Sequence, residues 1–255
     1  MTRITGYTLI ATNCCRTLYR TSRYGSMNFS ALEYWTDGHK EGSLMPEGGG
    51  LRRCSCGSYF LTRDATTIGI IPKSKPRAPD DWEKKSGSWW HQFWGFPTRE
   101  QTIQIYDTRD PKLIDEEVKQ LPPYAIYVVD NELVDVISVA NLSPEVEIIA
   151  RRRYWRYLND SYRETYRQAR EEDPKAIPSF EPTLSQRENM ERLLILLDAH
   201  YTQDWIEMSE LLRELGEPSA AQNALKHANS SQAKDVALQN QLINQGVQAP
   251  VRFRY

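Results

Sequence analysis

Four cysteines, all within the first 56 residues, constrain this chain more than any other feature. Cys14 and Cys15 are adjacent, and Cys54 and Cys56 are separated by one residue. A secreted scaffold spreads its disulfide-forming cysteines along the chain, whereas two close pairs favour a local metal site. The run YTLIAT before the first pair and SYFLT after the second read as β-strands, so each pair is expected at a turn beside a strand.

Zinc takes four ligands in a tetrahedron and binds thiolates well, so the leading interpretation is one structural zinc ion held by Cys14, Cys15, Cys54 and Cys56. The alternatives are a three-cysteine site completed by His39, and thiols that bind no metal and are occasionally oxidised. The usual spacing of about two to four residues inside a cysteine pair is contracted here. Because a filled four-thiolate site leaves no open position for water or substrate, it argues against metal catalysis.

Between the cysteine pairs, TDGH predicts a tight hairpin, because Asp-Gly favours the turn whose twist matches its flanking strands. Asp37 is therefore interpreted as a turn residue and not as an acid or base. Gly57 is expected to adopt a positive φ after the second cysteine pair. Residues 1–71 are thus expected to form a small β module that resembles a zinc ribbon.

The charge balance gives the molecule no overall attraction to nucleic acid or to anionic membranes, since 32 lysines and arginines stand against 34 acidic residues. The apolar runs YAIYVV and LLILL are far shorter than the roughly 20 residues that cross a bilayer. The first residues lack the continuous apolar segment of a signal peptide. We therefore expect a soluble, cytoplasmic protein.

Residues 72–140 form an aromatic-rich connecting segment. Tryptophan is costly to leave in water, so the side chains of this segment either pack on the protein itself or form a partner-binding patch. Trp89, Trp90 and Trp94 are the candidates for such a patch. A short strand over QTIQIYDTRDP and a short helix over KLIDEEVKQL, stopped by two prolines, are expected to follow.

Residues 141–255 are expected to be mainly α-helical, which gives the whole chain an α+β class. Ser143 as N-cap and Pro144 at the first helical position mark the clearest helix start. The arginines that follow are interleaved with acids, a pattern more typical of a salt-bridged helix face than of a nucleic-acid surface. Ser185 and Glu188 predict a capping box at the start of a later helix.

The stretch WIEMSELLRELGEPSAAQNALKHA has the spacing of one tetratricopeptide repeat, with Gly216 and Pro218 between its two helices. An ordinary helical hairpin with chance spacing is the alternative. One repeat cannot bury itself, so other helices must flank it in a tetratricopeptide-like domain. The outer face of the hairpin, which includes Glu210 and Arg213, is then the expected partner-binding surface.

The chain resembles an uncharacterised bacterial family in the segments CCRTLYRTSRYGSMNFS, YWTDG, MPEGGGLRRCSCGSYF, RRRYWRYLND and LLRELGEPSAA. In that family a cysteine-paired N-terminal module with a W-[ST]-D-G turn precedes a helical, repeat-like tail. Its members usually have C-x2-C pairs, from which the shorter pairs here depart. The resemblance implies an architecture and a bacterial cytosolic setting, and it brings no activity with it.

The sequence contains none of the familiar catalytic motifs: no Gly-rich phosphate loop, no G-x-S-x-G and no H-E-x-x-H. The leading hypothesis is a non-enzymatic, zinc-stabilised module for protein–protein interaction, with an adaptor or regulatory role. One alternative is a nucleic-acid-associated regulator that uses the arginines of the ribbon and of the helix after Pro144. A second is an enzyme whose site only the fold assembles.

Overall fold

A computed structural model describes residues 3–26, 33–42, 50–72, 121–199 and 204–253. It shows a mixed α/β protein with small antiparallel sheets, mainly from the N-terminal part of the chain, and a helical C-terminal region. The segment with Trp89, Trp90 and Trp94, and the short strand and helix expected after it, lie outside the described residues. Within the described ranges, every helix is too short or too polar to cross a membrane.

The described strands are β1 (Arg3–Ala11), β2 (Leu18–Ser26), β3 (Glu33–Trp35), β4 (Lys40–Glu41), β5 (Leu51–Arg53), β6 (Tyr59–Leu61), β7 (Thr66–Pro72), β8 (Ile126–Tyr127) and β9 (Arg252–Phe253). The described helices are α1 (Leu133–Ile137), α2 (Pro144–Leu158), α3 (Asp160–Glu172), α4 (Leu184–Ala199), α5 (Trp205–Glu214), α6 (Pro218–Leu225) and α7 (Ala233–Asn244). The chain forms two compact units: Met1–Ser26 with Ala65–Ala125, and Met27–Asp64 with Ile126–Tyr255.

The first unit contains a three-stranded antiparallel sheet in the order β2, β1, β7. The alternating, β-branched run that predicted a strand before Cys14 lies in β1, at the centre of this sheet. Residues just before β8 run beside β2, where Arg20 N donates to Pro123 O at 2.9 Å and Ala125 N donates to Arg20 O at 3.2 Å. The Arg20 guanidinium also lies 4.2 Å from the Tyr124 ring centroid, which adds a cation–π contact.

In the second unit, the predicted hairpin at TDGH is present as β3 and β4, and β9 pairs with the other edge of β3. Asp37 is a turn residue, as expected, because its Oδ1 accepts a hydrogen bond from His39 N at 3.0 Å. Gly38 has φ +77°, and a Cβ at this position would lie 2.6 Å from Arg156 Nη2. The backbone angle therefore favours glycine, and a larger residue would also displace the end of the Arg156 side chain.

Helix starts in the second unit follow local capping rules. The Ser143 hydroxyl accepts a hydrogen bond from Val146 N at 3.4 Å, which confirms the predicted start of α2. The capping box predicted at Ser185 and Glu188 is wrong, because α4 begins two residues earlier. Thr183 N donates to Gln186 Oε1 at 2.8 Å and Gln186 N donates to Thr183 Oγ1 at 3.3 Å, so this pair forms the box.

The helical pair α5 and α6 is also as predicted. Gly216 ends α5 with φ +82°, and Glu217 N donates to Leu212 O at 2.8 Å in the bond that closes such a terminus. Pro218 then occupies the first turn of α6. The described structure thus contains the helical hairpin on which the repeat interpretation depends.

Three apolar clusters hold the second unit together. In the first, β5 and β6 contribute Leu51 and Leu61, which pack with residues of α1 and α2. In the second, Trp155 of α2 packs with leucines of α4 and α5. In the third, Trp35 packs with tyrosines of α3 and with the segment after α7. Burial of these side chains is the main stabilising contribution to the unit.

Candidate metal centre

Cys14 and Cys15 lie in the turn between β1 and β2. The backbone closes there, since Thr12 N donates to Thr17 O at 3.0 Å and Arg16 N donates to Thr12 O at 3.0 Å. Arg16 has φ +59°, an angle that is uncommon outside glycine and that lets the chain reverse directly after the cysteines. Both cysteine side chains are exposed at this turn.

Cys54 and Cys56 lie in the turn between β5 and β6. Cys54 N donates to Ser58 O at 2.8 Å and Gly57 N donates to Cys54 O at 2.9 Å. Gly57 has φ +88°, which confirms the expectation of a positive φ at this position. Cys54 is buried and Cys56 is exposed.

The two turns bring their thiols together: the Sγ atoms of Cys14, Cys15, Cys54 and Cys56 all lie within 4.8 Å of one another. A tetrahedron with zinc–sulfur bonds of about 2.3 Å has sulfur–sulfur edges of about 3.8 Å. The Sγ atoms of Cys14 and Cys15 are 3.8 Å apart, which is the tetrahedral edge and is far longer than the roughly 2.05 Å of a disulfide. The four cysteines could therefore hold a metal ion.

Hydroxyl groups lie beside two of the exposed thiols. Thr17 Oγ1 is 3.0 Å from Cys15 Sγ, and Ser58 Oγ is 3.4 Å from Cys56 Sγ. A hydroxyl can donate a hydrogen bond to a metal-bound thiolate and thereby stabilise its charge and orientation. These residues were not among the predicted site residues, although each follows a cysteine by two positions and the shared C-x-[ST] spacing is visible in the sequence.

The alternative ligand His39 is not part of this group. Its Nε2 lies 3.3 Å from Glu41 Oε1, and among the described residues the cluster of potential metal ligands consists of cysteines alone. Burial, followed by the nearby Arg163 guanidinium, holds the pKa of His39 below its ordinary value. Of the two proposed ligand sets, the geometry favours the one with four cysteines.

Two of the residues predicted to contact a partner, Glu210 and Arg213, lie in the part of the chain that the structure describes, and both are buried. Glu210 is 0% exposed and Arg213 is 2% exposed, so the expectation that they lie on an outer face of the helical hairpin is wrong. The reason is that α5 is covered on both sides, by α4 and α6 and also by α7 and the segment that follows it. Trp89, Trp90 and Trp94 lie outside the described residues.

Comparison with family models, curated proteins and solved structures yields no match to this chain. The structure of this chain is therefore the only support for the cysteine cluster and for the order of a β region followed by helices.

Proposed function

We propose that this protein is a non-enzymatic, zinc-stabilised module of the cytoplasm that binds another protein in an adaptor or regulatory role. The observation that carries the proposal is the convergence of four cysteine sulfur atoms within 4.8 Å of one another. Four thiolates are a ligand set typical of structural zinc, and they leave no position open for a substrate. The metal would therefore fix two turns in place, as in a zinc ribbon, and take no part in chemistry.

The helical region supports a protein partner over a nucleic-acid partner. Binding to a phosphate backbone needs several uncommitted cations, because each contact neutralises one phosphate. Each arginine of α2 and α3 instead has a protein group as its partner. Five contact carboxylates: Arg151 with Glu147, Arg152 with Glu207, Arg153 with Asp130, Arg163 with Asp37 and Arg167 with Glu41. The other two bond a backbone carbonyl and a phenol: Arg156 with Asp37 O, and Arg170 with Tyr166 Oη.

We expect purified protein to contain one zinc ion per chain, measured by elemental analysis. Replacing the buried ligand, Cys54→Ser, should abolish stoichiometric zinc, because serine is a poor zinc ligand and the remaining cysteines supply only three of the four thiolates. Ser55→Ala, in the same turn, is the matched control and should keep its zinc. Zinc-free wild-type protein, or full occupancy in Cys54→Ser, would disprove the four-cysteine centre.

We expect the partner to be captured through aromatic side chains and to stay bound at high ionic strength. The measurement is cross-linking of full-length protein in native-cell extract with nuclease added, followed by mass spectrometry at low and high salt. The triple variant Trp89→Ala, Trp90→Ala, Trp94→Ala should lose more than about tenfold in capture, because tryptophan hot spots commonly contribute about 2 kcal/mol or more. Tyr157→Ala, which removes an exposed aromatic from α2, should not.

Two results would count against this partner assignment. Capture that disappears on addition of salt or nuclease would favour the nucleic-acid alternative, since binding to phosphates weakens steeply with ionic strength. Capture that is equal for the wild type and the triple variant would remove the aromatic segment from the interface.

A further inference from the structure

Among the described residues of the second unit, three carboxyl groups away from the cysteines are exposed by 2% or less. Asp37 is 2% exposed, and Glu210 and Glu214 are each 0% exposed. Asp37 comes from the turn between β3 and β4, whereas the glutamates are one helical turn apart on α5. An ionised carboxylate is rarely buried without a cation or several hydrogen-bond donors, so the partners of each group decide its charge.

Two of these carboxylates have a buried arginine as partner. The Arg163 guanidinium of α3 contacts Asp37 Oδ2, and Arg213 Nη2 lies 2.5 Å from Glu210 Oε1. Glu210 also accepts hydrogen bonds from Thr36 Oγ1 and from Gln239 Nε2, each at 2.6 Å. These two acids are therefore satisfied as negative ions.

Glu214 is different, because its donors are neutral. Trp155 Nε1 donates to Glu214 Oε2 at 2.8 Å, and Asn159 Nδ2 donates to the same oxygen at 3.1 Å. Within the described residues, no lysine, arginine or histidine forms a salt bridge with Glu214. The nearest cation on its own helix, Arg213, is occupied by Glu210 and by the carbonyl oxygens of Val247 and Ala249, at 2.5 and 2.8 Å.

Within the described residues, Glu214 has no cation of its own in this network. Arg163 contacts Asp37 and the exposed Asp160, and Arg213 contacts Glu210. Arg156 donates to the backbone oxygen of Asp37, so an ionised Glu214 would be a buried negative charge in salt-bridge contact with none of these arginines. Asn159 Nδ2 also donates to Asp37 Oδ2 at 3.2 Å, so one amide nitrogen bridges the carboxyl groups of Asp37 and Glu214. A negative charge on Glu214 would repel Asp37 across this amide and Glu210 along the helix.

We propose that Glu214 is a neutral carboxylic acid in the folded protein, and that loss of its proton loosens the packing of the β3–β4 turn against α2 and α5. We call this contact between the β3–β4 turn, α2 and α5 a pH-sensitive latch. The contact is tight when Glu214 is protonated and weaker when Glu214 is ionised. Burial, and then the carboxylates of Glu210 and Asp37, raise the pKa of Glu214 well above its ordinary value, in agreement with its neutral hydrogen-bond donors.

The groups that face Glu214 from each packed element give it no salt-bridge partner. Trp155 on α2 and Asn159 at the C-terminal cap of α2 are neutral, and the Arg156 side chain donates to the backbone oxygen of Asp37. On α3, burial raises the pKa of Tyr162, so its phenol is neutral. The remaining charged neighbours, Asp37, Arg163, Glu210 and Arg213, are paired with one another and not with Glu214.

The latch makes stability fall as pH rises. The unfolded chain loses the Glu214 proton near the ordinary glutamate pKa of about 4.3, whereas the folded chain keeps it. Between that pH and the higher pKa of the folded state, only the folded state binds this proton, so its contribution to stability decreases with increasing pH. The unfolding equilibrium constant should rise by up to about tenfold per pH unit over this range.

The test compares full-length, zinc-loaded wild type with Glu214→Gln and with Glu191→Gln, which changes an exposed acid on α4. Urea unfolding from about pH 5 to about pH 9 should show the extra pH dependence in the wild type and in Glu191→Gln, because both retain the titrating carboxyl group. Glu214→Gln should lack it, since an amide keeps acceptor capacity for Trp155 but cannot ionise. Equal pH dependence in Glu214→Gln and wild type would overturn the proposal.

A direct measurement keeps the proposal testable if Glu214→Gln does not fold. A neutral carboxylic acid has an infrared carbonyl stretch that a carboxylate lacks. Wild-type protein at neutral pH should show this band, and the band should disappear at alkaline pH as the unit loosens. Absence of the band at neutral pH would show that Glu214 is ionised and that the latch does not exist.

Discussion

Arg213→Ala is expected to lower the free energy of unfolding by about 3–5 kcal/mol, because it leaves Glu210 as a buried charge without its cation. The guanidinium also donates to the backbone oxygens of Val247 and Ala249 and to the Gln239 side chain. Its removal thus leaves several buried acceptors unsatisfied, each of which carries a further desolvation cost. Urea denaturation followed by circular dichroism measures the change.

Arg192→Ala is the matched control. Its guanidinium also pairs with a carboxylate, that of Glu147, but its side chain is 47% exposed, so water screens the interaction. We expect a loss below about 1 kcal/mol. If the two variants lose similar amounts of stability, then Arg213 is not buried in solution. In that case α5 presents Arg213 on an outer face, as the sequence predicted.

Trp155→Ala should lower the free energy of unfolding by about 3–5 kcal/mol, as much as Arg213→Ala. The indole is 0% exposed, and it packs against the leucines of α4 and α5. Its Nε1 donates to Glu214, so truncation creates a cavity and also removes one of the neutral donors of that acid. The thermal unfolding midpoint and the urea midpoint should both fall.

A control variant at a second aromatic residue of α2 distinguishes the loss of a buried side chain from a change in helix propensity. Tyr157 is 40% exposed, and Tyr157→Ala should change stability by less than about 1 kcal/mol. Comparable losses for Trp155→Ala and Tyr157→Ala would contradict the packing of α2 described here.

Features set by a few neighbouring residues were predictable from the sequence. Ser143 and Pro144 fixed the start of α2 because an N-cap hydroxyl and a proline act on the adjacent turn alone. Gly57 was expected to have a positive φ and Gly216 to lie between two helices; Gly57 has φ +88°, and Gly216 ends α5 with φ +82°. The grouping of the four cysteines followed from their confinement to two short turns, each beside a strand.

Features set by distant residues were not predictable. Glu210 and Arg213 have the composition of a solvated helix face, and their burial depends on Gln239 and on carbonyl groups more than thirty residues away. The start of α4 depends on Gln186, whose amide also reaches Leu158 O at 3.1 Å. Two Ser/Thr-x-x-Glu/Gln patterns overlap there, and a contact from another helix selects between them.

The pairing of β9 with β3 has a consequence for how the chain folds during synthesis. Thr36 and Val251 are joined by hydrogen bonds although they are 215 residues apart. At roughly 5–20 residues per second, a ribosome that has made Thr36 needs roughly 10–40 s more to make Val251. Throughout that interval the β3 edge that pairs with β9 has no partner strand from this part of the chain, so this part of the second unit can assemble only after Val251 has been made.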